Sequence, residues 1–285
     1  MISNSQIQKN FFELKEKSAN EDILVINISE HSFELLILGK DNFVTVKLAE
    51  LIFKDQFKDQ IELAEVFGQF IEEFDVRSKS YKTIYINWLN KKFTMVPASF
   101  YDSQNAKEVL EFNIGELGNE LVFTTDVLGE IKLIYCVPTE LKNSLDKLFP
   151  HHTLKHFGYN NIQLFFTHFQ LKNADVFLNV HEQQMELLIK KDKKLVLYNV
   201  FSTKSDEDIL YYLLFSIEQF NLNPLILKLA FAGNTGTGDE LFKTIKKYLK
   251  YADVVVSDKI IKRKEVFETL PHHYYFSLLN RVLCE

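Results

Sequence analysis

Cysteine, proline and glycine are all scarce in this chain of 285 residues, at 2, 5 and 9 copies. Two thiols, Cys136 inside an apolar run and Cys284 beside the terminus, cannot build a disulfide framework or a thiolate zinc site, and they fit a reducing compartment. So little Gly and Pro excludes collagen-like, linker-rich and low-complexity classes and favours long regular elements. No window approaches the roughly 18 consecutive apolar residues of a membrane-spanning helix, and the first 20 residues carry no uninterrupted apolar stretch of the signal-peptide kind. The chain therefore reads as cytoplasmic. Positive charge is also in deficit. With 33 Lys+Arg against 39 Asp+Glu the net charge is -6, the wrong sign for a protein that coats phosphates, so dedicated nucleic-acid binding is disfavoured. Up to Leu171 there are 17 basic and 24 acidic residues, beyond it 16 and 15, so only the second part can carry a basic face.

Apolar side chains are plentiful, at 46% of the chain, with 26 Phe and 12 Tyr. That is enough core for one large or two medium domains without covalent staples. Sliding the sequence on itself by 152 places lays Asn27–Ile37 over Asn179–Ile189 with six identities: Asn27/Asn179, Glu30/Glu182, Glu34/Glu186, Leu35/Leu187, Leu36/Leu188 and Ile37/Ile189. The surroundings repeat too. A buried-strand run precedes each match, at 22–26 and 175–178, and a polar turn follows each, at 39–42 and 190–194. Then come a third strand (43–48 and 195–200), an amphipathic helical stretch (54–74 and 205–220) and a fourth strand (83–88 and 225–231). Ser205-x-x-Asp208 marks the start of the second helix as a capping box. The repeated grammar is β-β-β-α-β, a half-sheet that needs helices on both faces. Between the copies the pattern predicts a helix over 102–112, strands over 120–125 and 131–137, a helix over 139–148, a strand over 153–156 and a linking helix over 157–171. The expected organisation is an N-terminal arm over 1–20, a first half over 21–171 with a subdomain inserted at about 90–156, and a second half over 172–285.

This order of elements resembles the α/β actin-like ATPase superfamily, in which two duplicated ribonuclease-H-like halves carry a subdomain inserted in the first. The likeness spans residues 21–285. A closer resemblance, carried by Ser205–Phe215, Gln219–Pro224, Gly233, Val96-Pro97 and the Tyr275–Glu285 ending, is to an uncharacterised, mainly Bacteroidetes protein family assigned that fold. The superfamily resemblance implies ATP or ADP with Mg2+, held by Asp-x-Gly-type turns at the end of each first strand, where carboxylates organise the metal through water. The matching turns here are Asn27-Ile28-Ser29 and Asn179-Val180-His181, which lack both the carboxylate and the glycine. Loss of two formal charges weakens the electrostatics on which phosphoryl transfer depends. Glu30 and Glu182 can be offered as substitute acids, although strand alternation aims them elsewhere.

The third element, Gly233-Asn234-Thr235-Gly236-Thr237-Gly238 before a helix from about 239 to 250, matches the turn that wraps adenosine in the superfamily. It is neither a P-loop nor a dinucleotide fingerprint, so nucleoside contact and a plain strand-to-helix turn both stay open. The residues offered for a cofactor are thus Asn27, Ser29, Asn179, His181, Gly233, Asn234 and Gly236, with no catalytic residue and no metal ligand assigned. His151, His152 and His156 have no acidic or Cys partner nearby for a zinc site. Lys243, Lys246, Lys247 and Lys250 share a helix face and, with Lys259, Lys262, Arg263 and Lys264, are the best site for an anionic partner, though acids intersperse them. The run Tyr211–Phe215 covers more than one helix face and is the expected protein-partner surface. The functional expectation is an actin-like-fold interaction module with at most weak nucleotide binding. The alternative is an active ATPase or sugar-kinase-like phosphotransferase using Glu30 or Glu182.

Overall fold

The computed structural model describes residues 6–14, 21–39, 43–77, 79–233, 238–257, 260–263, 267–268 and 270–284. Asn234, Gly236, Lys259 and Lys264, and the turn tip expected at 40–42, lie outside the described residues. The chain divides into two compact units, Met1–Tyr159 with Lys262–Phe267, and Asn160–Ile261 with Glu268–Glu285.

The first unit is built on strands β1 (Gln6–Glu13), β2 (Asp22–Ser29), β3 (Ser32–Gly39), β4 (Val44–Phe53), β5 (Tyr81–Leu89) and β9 (His152–His156). Their order in the sheet is β1-β4-β3-β2-β5-β9. β2, β3 and β4 run antiparallel, while β5 joins β2, and β9 joins β5, in parallel. β2 and β3 are almost continuously buried, as strands covered on both faces must be, which is why they read as apolar runs and not as alternation. Helix α1 (Gln60–Glu73) buries Leu63, Val66, Phe67, Phe70 and Ile71, a 3.6-period stripe. Five such side chains contribute on the order of 10 kcal/mol of gross burial energy, before chain entropy is set against it. α1 starts later than its apolar pattern because Asp59 accepts from the Ile61 and Glu62 amides, fixing the N-terminus there.

An inserted sheet, β6 (Phe93–Pro97), β8 (Ile131–Pro138) and β7 (Glu120–Val127), carries α2 (Ala106–Ile114) over a small core of Ala106, Leu110, Leu117, Ile134 and Cys136. Three details depart from the sequence expectation. Part of the expected arm is β1, which pairs with β4. The insert contains β6, a half-buried strand ending in Pro97 whose weak pattern hid it. The insert's last elements belong to the main body: α3 (Thr139–Leu148) packs on α1, and β9 completes the main sheet.

The second unit repeats this topology. β10 (Val176–His181), β11 (Gln184–Lys191), β12 (Lys194–Ser202), β13 (Lys228–Gly233) and β14 (Tyr251–Val254) lie in the order β12-β11-β10-β13-β14. β10 pairs antiparallel with β11 and parallel with β13. Helix α5 (Asp206–Gln219) follows β12, and α6 (Gly238–Tyr248) follows β13. The Ser205 cap forms: its hydroxyl accepts from the Asp208 amide, and Asp208 accepts from the Lys204 amide at 2.7 Å. β13 begins three residues later than expected because Asn223 holds a turn. Its side chain accepts from Leu225 N and its carbonyl from Ile226 N and Leu227 N, so Leu225 and Ile226 are left exposed. α4 (Phe157–Thr167) is shorter than the expected linker, and the C-terminal segment carries α7 (Phe276–Leu279) followed directly by a 3-10 turn over Asn280–Leu283.

Candidate functional site

Backbone pairing places one polar residue on each of five neighbouring strands of the first unit: Asn10 opposite Glu50, Glu50 opposite Glu34, Glu34 opposite Asn27, and Asn27 opposite Asn87. Side-chain bonds run along this row. Asn87 Nδ2 donates to Asn27 Oδ1 at 2.7 Å, Asn27 Nδ2 donates to Glu34 Oε2 at 2.7 Å, and Asn10 Nδ2 donates to Glu50 Oε2 at 2.8 Å. Asn27, Glu34, Glu50 and Asn87 are buried. Both ends of the Asn27 amide are therefore committed within the sheet. Ser29, two residues on, is buried and closes the β2–β3 turn by accepting from the His31 and Ser32 amides at 3.1 and 2.9 Å. Burial lowers the pKa of His31 beside it, with the Glu30 charge in partial opposition.

The second unit repeats the Asn–Glu pair with different supporters. Asn179 stands opposite Glu186, whose side chain is 0% exposed. Glu186 Oε2 accepts from Asn161 Nδ2 at 2.5 Å and Asn179 Nδ2 at 3.0 Å, and Oε1 from Tyr198 Oη at 2.9 Å. His181 Nε2 lies 2.9 Å from Glu186 Oε2 and 3.0 Å from Asn179 Nδ2. One ring nitrogen cannot donate to the first and accept from the second. The carboxyl contact is the stronger, so Nε2–H donates to Glu186, and Asn179 sends its protons to Glu186 and to Ser277 Oγ at 3.1 Å. Ser277 in turn donates to Asn161 Oδ1 at 2.6 Å, which closes the ring. Burial, then the neighbouring Glu186, holds the Tyr198 pKa well above its ordinary value, so its hydroxyl keeps its proton.

Gly233 is fixed by packing. It has φ +139, and a Cβ there would lie 2.2 Å from Val180 O and 2.8 Å from Val180 N, so only glycine lets β13 lie against β10. Glu30 is exposed in its turn and lines a pocket of about 200 Å³ with Phe57, Asp59, Lys92, Glu120 and Pro138. Among the described residues its one lining cation, Lys92, sits 2.9 Å from Glu120, and the Ile61 and Glu62 amides of α1 are capped by Asp59, so these residues bring no surplus positive charge to a phosphate. Among the described residues no group of three or more His, Cys, Asp and Glu side chains is placed to hold a metal ion. His152 Nδ1 contacts Phe149 O at 2.7 Å. His156 Nδ1 accepts from Gly158 N, and its Nε2 meets Asn90 O at 3.1 Å. On α6, Lys243 pairs with Glu240 and Lys246 approaches Asp253.

The structure therefore brings Asn179 and His181 together on Glu186, joins Asn27 to Glu34, and leaves Ser29 and Gly233 in backbone roles. Glu34, Glu186, Asn161 and Ser277 were not read as site residues from the sequence. The signal for the first two was there, since both are identities in the 152-place overlay. Asn161 and Ser277 carry no such mark.

A protein-family model described as "Protein of unknown function (DUF3822)" matches residues 11–252. No curated protein matches the chain. Among solved structures, a Bacteroides thetaiotaomicron protein with actin-like ATPase fold and unknown function aligns at TM-score 0.70 and 21% identity, over 83% of this chain and 91% of that one. The PilM–PilN type IV pilus biogenesis complex supplies a chain at TM-score 0.63 and 12% identity, covering 93% and 99%. Ethanolamine utilization protein EutJ from Carboxydothermus hydrogenoformans aligns at TM-score 0.50 and 8% identity, covering 92% and 89%. At these identities the likeness is one of fold, and the fold is the actin-like ATPase fold. No helix among the described residues is long and apolar enough to cross a membrane.

Proposed function

Since this chain belongs to the protein family of unknown function DUF3822, we propose that it uses its actin-like fold as a protein-interaction module and has given up phosphoryl transfer. The observation that carries this reading is the fate of the two first-strand residues. Asn27 and Asn179 stand where the superfamily resemblance implies metal-organising carboxylates, and each spends its amide on a buried glutamate of its own sheet, Glu34 or Glu186. A carboxyl group sealed behind its own donors is poorly placed to order Mg2+ and water around a phosphate.

The halves have a common origin in this reading. Its support is the shared strand order, the matching Asn–Glu pairs, and the helix starts Lys58-Asp59-x-x-Glu62 and Lys204-Ser205-x-x-Asp208, in which the last acid accepts from the lysine amide. Residual, weak nucleotide binding at the turns of Asn27, Ser29, Asn179, His181 and Gly233, with Asn234 and Gly236, belongs to the proposal, as do a cytoplasmic setting and a protein partner in preference to nucleic acid. The PilM–PilN type IV pilus biogenesis complex supports the partner, because a chain of this fold there serves in a protein assembly.

Thermal-shift titration with Mg-ATP, ADP and AMP tests the reading. The expected result is no shift, or a small shift common to all three nucleotides. A stabilisation that needs both Mg2+ and the γ-phosphate, with phosphate release abolished by Glu30→Gln or Glu182→Gln, overturns it in favour of an active ATPase.

A further inference from the structure

The two sheets differ at one edge. In the first unit the outer side of β4 is covered: β1 pairs with it from Lys47 to Phe53, and Phe11 of β1 stacks toward Phe74 just past α1, with ring centroids 5.3 Å apart. The equivalent strand of the second unit, β12, pairs among the described residues only with β11. Both strands carry a bulge at the same place, where Val46 and Val196 are skipped in the pairing, and β1 uses β4 only beyond that bulge. Past its own bulge, β12 carries an amide met by a side chain of its own strand: Val200 N donates to Asn199 Oδ1 at 2.9 Å.

The face beside this edge is aromatic. Phe201 of β12 stacks on Tyr212 of α5 at 4.5 Å, and next to it Tyr211 and Phe215, 60% and 45% exposed, stack on each other at 5.8 Å. A strand edge that no other described strand covers, flanked by exposed aromatics, invites an added strand.

Charge selects the occupant. β12 enters from a lysine-bearing hairpin (Lys193, Lys194) and leads into the acidic first turn of α5 (Asp206, Glu207, Asp208). An antiparallel partner with the opposite order of charge is a second copy of this strand itself. We propose that β12 is a homodimerisation edge. Two copies pair antiparallel about a two-fold axis near Asn199 and Val200, joining two five-stranded sheets into one of ten. Lys193 and Lys194 of each copy then face the acidic α5 turn of the other, and Tyr211 and Phe215 of both α5 helices close over the seam. Asn199, which accepts from the Val200 amide, must swing aside, so it limits the affinity. This inference stands apart from the nucleotide reading, since it uses no residue of the Asn27 or Asn179 turns.

Sedimentation equilibrium on the full chain tests it. The expected mass at high concentration is twice the 33.4 kDa of one chain. Lys194→Glu and Glu207→Lys, both at exposed positions, should each weaken association about tenfold, while an equimolar mixture of the two variants recovers it because every pair is again of opposite sign. Tyr211→Ser with Phe215→Ser should also weaken it without lowering the melting temperature. A chain that stays monomeric at every attainable concentration overturns the proposal. So does a dimer indifferent to these substitutions, or charge variants that do not rescue each other.

Discussion

Glu186→Ala is the sharpest test of whether the Asn–Glu pairs hold the fold together or serve chemistry. The side chain is wholly buried and accepts from Asn161, Asn179, His181 and Tyr198. Truncation does not orphan all four equally. Asn179 keeps Ser277 as an acceptor, and the His181 side chain, 11% exposed, can turn to water. The Asn161 amide and the Tyr198 hydroxyl lose a buried acceptor outright, at about 1–3 kcal/mol each, so the expected loss is about 4 kcal/mol. At about 2–4 °C per kcal/mol for chains of this size, the melting temperature falls by roughly 8–16 °C.

Glu186→Gln separates charge from shape. Its oxygen can still serve Asn161, Asn179 and His181, and its amide can donate to the Tyr198 oxygen, so the expected loss is only about 1–2 kcal/mol. Urea denaturation followed by circular dichroism reads both values. An alanine variant within about 1 kcal/mol of the parent, or a glutamine variant as damaged as the alanine one, refutes the reasoning.

Two further outcomes follow from the same geometry. Asn27→Asp, which restores the acid that the superfamily resemblance implies, should destabilise by about 3 kcal/mol in denaturant titration. It sets a second acceptor 2.7 Å from Glu34 Oε2 in a buried row. A neutral or stabilising effect would show that this position accommodates an acid beside Glu34. Gly233→Ala should cost about 3–5 kcal/mol in the same titration, because the new methyl meets the Val180 backbone at 2.2 Å at a positive φ. Undiminished stability would show that β13 can draw back from β10 far enough to admit a side chain.

Much of the architecture was legible because it is local. The helix start at Ser205-x-x-Asp208, the presence of hairpins around Asn27 and Asn179, and the β-β-β-α-β order all follow from residues within a few positions of one another. Elsewhere the deciding contact is remote or weakly patterned. Nothing in Gln6–Glu13 announces that it will cover β4, some 40 residues on, and β6 is half-buried and ends in proline. The Asn223 turn, by contrast, was local chemistry outweighed by the apolar run Leu225–Leu227, which resembles a strand beginning early.

The sequence alone determined that Asn27–Ser29 and Asn179–His181, the turns that the superfamily resemblance matches to phosphate-binding ones, carry neither an acid nor a glycine, since that is a matter of which residue stands where. What those residues bond to was settled only by tertiary structure. Strand register sets Glu34 beside Asn27 and Glu186 beside Asn179, and Ser277 reaches Asn179 from 98 positions away while also holding Asn161. A buried polar group must find a partner wherever the folded chain supplies one, and for the second half that supply comes from α4 and from the C-terminal helix. Spacing along the chain cannot reveal such a debt, because the partner is chosen by packing and not by sequence distance.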